Sequence, residues 1–388
     1  MRIDSIQSHV MFRLQATRVV SGVVLAFIAG LASGADLVVT HIGPYSGPAA
    51  ATGKEYGAGA QLYFTHVNAG GGVYGSKIVL VARDDAGNPE LTRRHAVASV
   101  HDNPVAFIGA VGASSINSLA PTLKTLQAPL LGPLVDSTEV SATDNPYVFH
   151  IRAAVPQELE ALAVELRGLG IRKIALCHES DTIGVNDVAN MQLHLSQKNV
   201  GLLVTARCDG EATDIAAAAN AIAAVEPQAV IFAGHTQRAA AFIKVLRAKG
   251  SFALVASSSS VDPKLLVSLL PPDAAIWLAV AQSVPNPRAA PGWRAEAIVD
   301  EFLAIRSDSA PQTPLSRASL TGFITAKIAV AALRRAGRNP TSADVLHALA
   351  MLGTYDVGGM TVSLFRDGRG RAQYTRLGIL STAGVVLN

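Results

Sequence analysis

The sequence predicts an α/β protein made of two doubly wound parallel-sheet lobes, and three observations lead there. Apolar runs of five to eight residues recur, each followed by a loop and then a stretch of helical period, which is the sequence form of a βαβ array. The series occurs twice in succession, so two sheets are expected, each covered by helices on both faces. Loops of Gly, Ser and Thr stand at the carboxyl ends of the expected strands, where open α/β sheets bind ligands.

In chain order, the first series places strands at DLVVTHI (36–42), KIVLVARDD (77–85), VAFIGAVG (105–112), APLLGPL (128–134) and YVFHIRA (147–153). Helices are expected between them near 53–68, 89–102 and 116–126. The second series has strands at KIALCHE (173–179), GLLVTARC (201–208), AVIFAGH (229–235), ALVASS (253–258) and AIWLAVA (275–281). Its helices fall near 156–168, 185–198, 214–224, 236–249 and 263–270. The tail then changes character. Residues 291–306, 316–336 and 342–352 are helical, the second with Leu320, Phe323, Ile324, Ile328 and Ala331 on one stripe. Gly358–Leu380 reads as a β-hairpin turning at RDGRG. Three helices and a hairpin cannot bury a core of their own, so they are expected to pack back onto the lobes.

Ahead of the first strand, Arg13 and Arg18 precede the apolar VVSGVVLAFIAGLA and then small residues at Ser33 and Ala35. This is the pattern of a secretory leader, expected to be cut after Ala35. The apolar run falls short of the roughly 20 residues that a spanning helix needs. Residues 1–35 carry Arg2, Arg13, Arg18 and Asp4, so 29 of the 32 basic and 28 of the 29 acidic side chains lie beyond them. So even a balance argues against nucleic acid or an anionic membrane as partner. Cys177 and Cys208 each lie near the end of an expected strand. If those strands are neighbours the two could form a disulfide in an oxidising compartment; two inert buried thiols are the alternative.

Several chemistries can be tested against the loops. GGGVYG at Gly70–Gly75 matches G-x-G-x-x-G, but it follows a helix and precedes a strand, the reverse of a dinucleotide site, and reads as a helix stop and turn. GPYSG at Gly43–Gly47 does not match the nucleophile elbow G-x-S-x-G. The pair His178–Glu179 lacks a second ligand at metal-binding spacing, so neither metal nor cofactor is expected. What remains is the loop set GPYSG, GASSINS (Gly112–Ser118), LVDST (Leu134–Thr138), HESDTIG, GHTQ and SSSS (Ser257–Ser260). Their hydroxyls either cap the following helices or converge on a neutral, hydrogen-bonding cleft between the lobes.

The stretch from Ile42 to Asp85, then FIGAVGASS, then DNPYVFHIRAA (Asp144–Ala154), resembles the leucine/isoleucine/valine-type periplasmic binding proteins of ABC transporters, in matching order over essentially the whole chain after the leader. The resemblance implies a type I fold with three crossovers: 36–152 plus 283–354 as lobe 1, and 153–282 plus 355–388 as lobe 2. It implies a monomer in the periplasm that closes on a small-molecule ligand without catalysis and hands it to a membrane permease. Tyr45 and Ser46 fall at the cleft rim, and Thr52 where relatives place an aromatic. The serine that holds an amino-acid carboxylate falls on Ala113, followed by Ser114 and Ser115; the fourth-loop positions fall on Leu134 and Asp136. Two tyrosine positions fall on Ile183 and His235, and the glutamate that pairs with the ligand ammonium falls on Ser259.

A buried ammonium without a carboxylate partner costs several kcal/mol. Asp136 could supply the carboxylate or merely cap a helix. The expected ligand is a small polar metabolite: an amino acid, an amide or an organic acid. A ligand sensor for a receptor is the alternative within the same class. A secreted α/β hydrolase, with cleft serines but no elbow, base or oxyanion motif, is the alternative outside it.

Overall fold

The computed structural model describes residues 34–134, 145–180, 182–288, 296–365 and 374–387. Asp136, the RDGRG segment and all but the last two residues of the expected leader lie outside them. Among the described residues no helix is long and apolar enough to cross a membrane.

The first lobe is built on β1 (Leu37–Gly43), β2 (Ile78–Asp84), β3 (Ala106–Ile108), β4 (Leu130–Leu131) and β5 (Val148–Phe149), all parallel in the order β2-β1-β3-β4-β5. Alternate side chains point to opposite faces, as the pleat requires. Val39, Ile108, Leu131 and Phe149 enter one core, whereas Ile42, Phe107, Leu130 and Val148 enter the other. The first core is covered by α1 (Ala50–Ala69), and the second by α2 (Pro89–Ala98) and α3 (Ala113–Leu126). Pro89 follows the N-cap Asn88, whose side chain accepts from the N–H groups of Glu90 and Leu91, and this fixes the start of α2.

The second lobe repeats the plan. It contains β6 (Ile174–His178), β7 (Leu202–Arg207), β8 (Ala229–Ala233), β9 (Leu254–Ser257) and β10 (Leu278–Gln282), with the parallel order β10-β9-β8-β6-β7. On one face lie α4 (Val155–Gly168) and α5 (Val185–Gln197), and on the other α6 (Ala212–Ala224), α7 (Thr236–Ala248) and α8 (Pro263–Leu269). Cys177 on β6 and Cys208 just past β7 are joined as a disulfide, their Cα atoms 6.0 Å apart. Parallel neighbours in register at Cys177 and Ala206 bring the pair together.

The chain enters the second lobe after β5 and returns after β10. On the first lobe it then forms α9 (Ala297–Ser309), α10 (Arg317–Ala336) and α11 (Ser342–Leu352), whose apolar faces join the core of β1 and α1. Contact between α1 and α10 is close because both carry glycine at the crossing. A Cβ on Gly59 would lie 1.8 Å from the Ser319 carbonyl oxygen, and one on Gly322 would lie 2.0 Å from that of Tyr56.

The hairpin expected over Gly358–Leu380 does not form. Residues of β12 (Thr361–Ser363) pair antiparallel with β11 (Thr354–Asp356), while β13 (Arg376–Leu380) pairs with β10 and with β14 (Val386–Leu387). An earlier turn takes precedence: Gly358 and Gly359 both have positive φ, and their N–H groups donate to the Asp356 carboxylate. Val357, Met360, Val362 and Leu364 accordingly lie in the core of the first lobe.

Candidate functional site

In each lobe the strand order reverses beside the first strand, between β1 and β3 and between β6 and β8. Open α/β sheets have their ligand crevice at the carboxyl ends flanking such a point. After β1, Asp84 at the end of β2 accepts the backbone N–H groups of Tyr45 (2.8 Å) and Ser46 (3.1 Å). A hydrogen bond from the Ser46 side chain, followed by those from backbone N–H groups, lowers the Asp84 pKa to about 2. Tyr45 is also held by its hydroxyl, 2.7 Å from Nδ1 of His41. His41 is fully buried on β1 with its ring 5.0 Å from that of Tyr56, and burial lowers its pKa to about 4.

The third loop is wound tightly. Gly109, Ala110 and Gly112 all have positive φ, and a Cβ on Gly109 would lie 2.5 Å from the His41 ring. Alanine rarely adopts this conformation; here the fourth loop holds it, with Leu134 N donating to Ala110 O at 2.8 Å and Gly112 N to Leu134 O at 2.9 Å. Strands expected to reach Gly112 and Leu134 therefore end early, and their last residues become cavity wall.

Between the lobes lies a cavity of about 250 Å³. The first lobe contributes Thr52, Val111 and Leu134, together with Arg317, Ala318 and Thr321 from the first turns of α10. Ser259 comes from the second lobe, and Arg152, Ser283 and Val284 come from the two crossovers. Arg152 links the parts: its Nε donates to Ser283 Oγ and its Nη2 to Ser259 Oγ, each at 3.0 Å. The Ser259 hydroxyl in turn donates to Glu158 Oε1 at 2.6 Å, and Ser259 N donates to Oε2 at 2.9 Å. Glu158 is 1% exposed; burial raises its pKa, and the charge of Arg152 opposes the rise.

Of the residues singled out from sequence, Thr52, Leu134 and Ser259 meet in this cavity. Others lie elsewhere. Ala113 and Ser115 are buried at the start of α3, where Ser115 Oγ accepts from Thr92; Ser114 is exposed, and its carbonyl accepts from Ser118. Ile183 is a core residue of the second lobe and not a cleft residue, because its N–H and that of Thr182 turn back onto the Glu179 carbonyl. His235 is the N-cap of α7, with Nδ1 2.7 Å from the buried Glu179 carboxylate, which also accepts from Arg238 at 2.9 Å.

Sequence reasoning missed Arg152, Ser283, Arg317 and Thr321. Arg317 carried a legible signal, since a cation in the first turn of a helix opposes the helix dipole. Arg152 carried none, as its partners lie 107 and 131 residues away. Among the described residues no cluster of His, Cys, Asp and Glu could hold a metal ion.

A family model described as periplasmic binding protein matches residues 37–378. The Leu/Ile/Val-binding protein homolog 7 of Brucella suis biovar 1 is 23% identical over 334 residues, covering 80% of each chain. Among solved structures, a substrate-binding periplasmic protein from Ralstonia solanacearum is 31% identical with a TM-score of 0.67, over 90% of this chain and 99% of that one. An ABC transporter substrate-binding protein from Desulfitobacterium hafniense, solved in complex with Leu, superposes with a TM-score of 0.71 at 18% identity, over 90% of this chain and 98% of that one.

Proposed function

The chain belongs to the periplasmic binding protein family and has that family's type I fold, and from this premise we propose that it is the solute-binding component of an ABC importer. In this role it works as a monomer in the periplasm, captures a small polar metabolite by lobe closure, performs no chemistry on it and delivers it to a membrane permease. The observation that supports this most is the make-up of the cavity. Its walls come from the first lobe, from Ser259 of the second lobe and from the crossover residues Arg152, Ser283 and Val284. A solute seated there touches both lobes at their hinge, so its binding free energy depends on the angle between them.

We assign the described residues within 36–152 and 283–364, with Tyr374, to the lobe built on β1 and those within 153–282 and 375–387 to the other. Closure would carry His235 and Arg238, on the carboxyl side of β8, toward Tyr45 and Ser46 on the opposing rim. The test is whether solute uptake compacts the molecule. Binding of the small molecules released from denatured protein should go with a fall in its radius of gyration.

A further inference from the structure

We infer that Glu158, which lies behind the cavity wall, is a positioning residue that sets the cavity's solute preference. It engages both hydrogen-bond donors of Ser259, so Ser259 meets the solute as an acceptor and selects for an N–H or O–H group. This rests on the solute-binding reading and narrows it. The two donors of Ser259 are its N–H and its hydroxyl, which donate to Oε2 and Oε1 of the one carboxylate at 2.9 Å and 2.6 Å. Of the two lone pairs on the hydroxyl, one accepts from Arg152 Nη2 at 3.0 Å. The other is what the side chain has left for a solute in the cavity that Ser259 lines. Ser283, in the same wall, follows the same pattern: its hydroxyl accepts from Arg152 Nε at 3.0 Å and hydrogen-bonds toward Glu158.

The pattern requires the carboxylate form of Glu158, and the surroundings favour it. Burial raises the pKa; the charge of Arg152 and then hydrogen bonding from Ser259 and Ser283 oppose the rise. Glu158 also stands in the first turn of the 14-residue α4, at the positive end of the helix. A proton on either oxygen would have to displace a donor of Ser259, and the backbone N–H cannot turn away. The consequence for a solute follows. A group that only accepts, placed against the Ser259 hydroxyl, sets lone pair against lone pair, whereas an N–H or O–H fills the last site on the oxygen. A site built to hydrogen-bond such a group rejects the analogue lacking it far more strongly than one that differs by a methylene.

Calorimetric titration of the protein with two series tests the assignment: leucine, 2-hydroxyisocaproate and 2-ketoisocaproate, and the shorter alanine, lactate and pyruvate. Members of a series share a carbon skeleton and a carboxylate, and at neutral pH only the keto acid has no N–H or O–H. Hydroxy acid and keto acid also carry the same charge. A donor-bearing member should bind roughly tenfold tighter than its keto acid, or better. Glu158→Gln should erase most of that preference. The fixed Ser259 N–H takes the amide oxygen, the amide NH₂ then donates to the hydroxyl, and the hydroxyl's own proton turns to the cavity. Ser259→Ala should erase it too, and Glu158→Asp, which keeps the carboxylate, should recover part of it. Thermal melts separate these effects from misfolding, and Ser259→Ala decides the matter if Glu158→Gln does not fold. A keto acid bound as tightly as its donor-bearing partners, no binding in either series, or an undiminished preference in the folded variants would overturn the inference. The solute-binding reading fails separately, if the wild type takes up nothing from a defined mixture of amino acids, amides, sugars and organic acids.

Discussion

From the family resemblance, Ser259 is expected at the position of a ligand-pairing glutamate, and a carboxylate is present just behind it. Glu158, 101 residues earlier in the chain, accepts two hydrogen bonds from Ser259 while Arg152 donates to the same hydroxyl. The acid was illegible in the sequence because it belongs to the first turn of α4 and is brought to Ser259 by packing alone. Ser259→Ala removes a link between a cation and a buried acid. It is expected to weaken ligand binding roughly tenfold and to cost about 1–2 kcal/mol in stability, read by calorimetry and by urea unfolding.

His41 carries a second residue-scale expectation. Burial lowers its pKa to about 4, against 6.5 for the unfolded chain. Above pH 6.5 neither state binds the proton and stability is unaffected. Below that, the unfolded chain takes up a proton that the native state refuses, so about 3 kcal/mol is lost progressively as pH falls from 6.5 to about 4. Glu158, with its raised pKa, has the opposite sign, stabilising at low pH and losing that contribution as pH rises through its native pKa. Because Glu158 is retained in His41→Gln, that variant should show a flatter fall in urea stability between pH 6.5 and 4; an equal fall in both proteins would exclude His41 as the source.

At the scale of elements, helices and strands were legible wherever local pattern decides them. The parallel strands were marked by unbroken apolar runs, and α11 by Thr341 and Asp344, which cap each other. Strand ends were less legible. The expected strands at 105–112 and 128–134 shrink to three and two residues, because Gly109, Ala110, Gly112 and Gly132 take positive φ. The tail misled for a related reason: RDGRG and the pair Gly358–Gly359 both offer a turn, and only tertiary pairing chooses between them. Glycines inside α1 look costly to a helix until α10 is placed against them. Gly322→Ala should therefore destabilise by about 1–3 kcal/mol in urea unfolding, although alanine is the better helix former.

For the molecule as a whole, two parallel-sheet lobes were foreseeable because each is written in consecutive βαβ units; their shared strand order emerges only in the structure. The hinge was not. Arg152 and Ser283 come from different crossovers, and their meeting depends on packing between residues 131 apart in the chain. The same holds for the cavity, which joins the first turns of α10 to the loops after β3 and β4. The fold is thus largely a local reading of the chain, whereas the site is a product of topology.

Small-angle X-ray scattering, with the radius of gyration of the purified protein compared before and after saturation with the solute it retains, tests the central claim most directly. Capture between two hinged lobes predicts a more compact particle at one solute per chain, with solute recovered chemically unchanged and compaction lost in Arg152→Gln. A solute that binds without changing the radius of gyration, or that is consumed, would contradict the account.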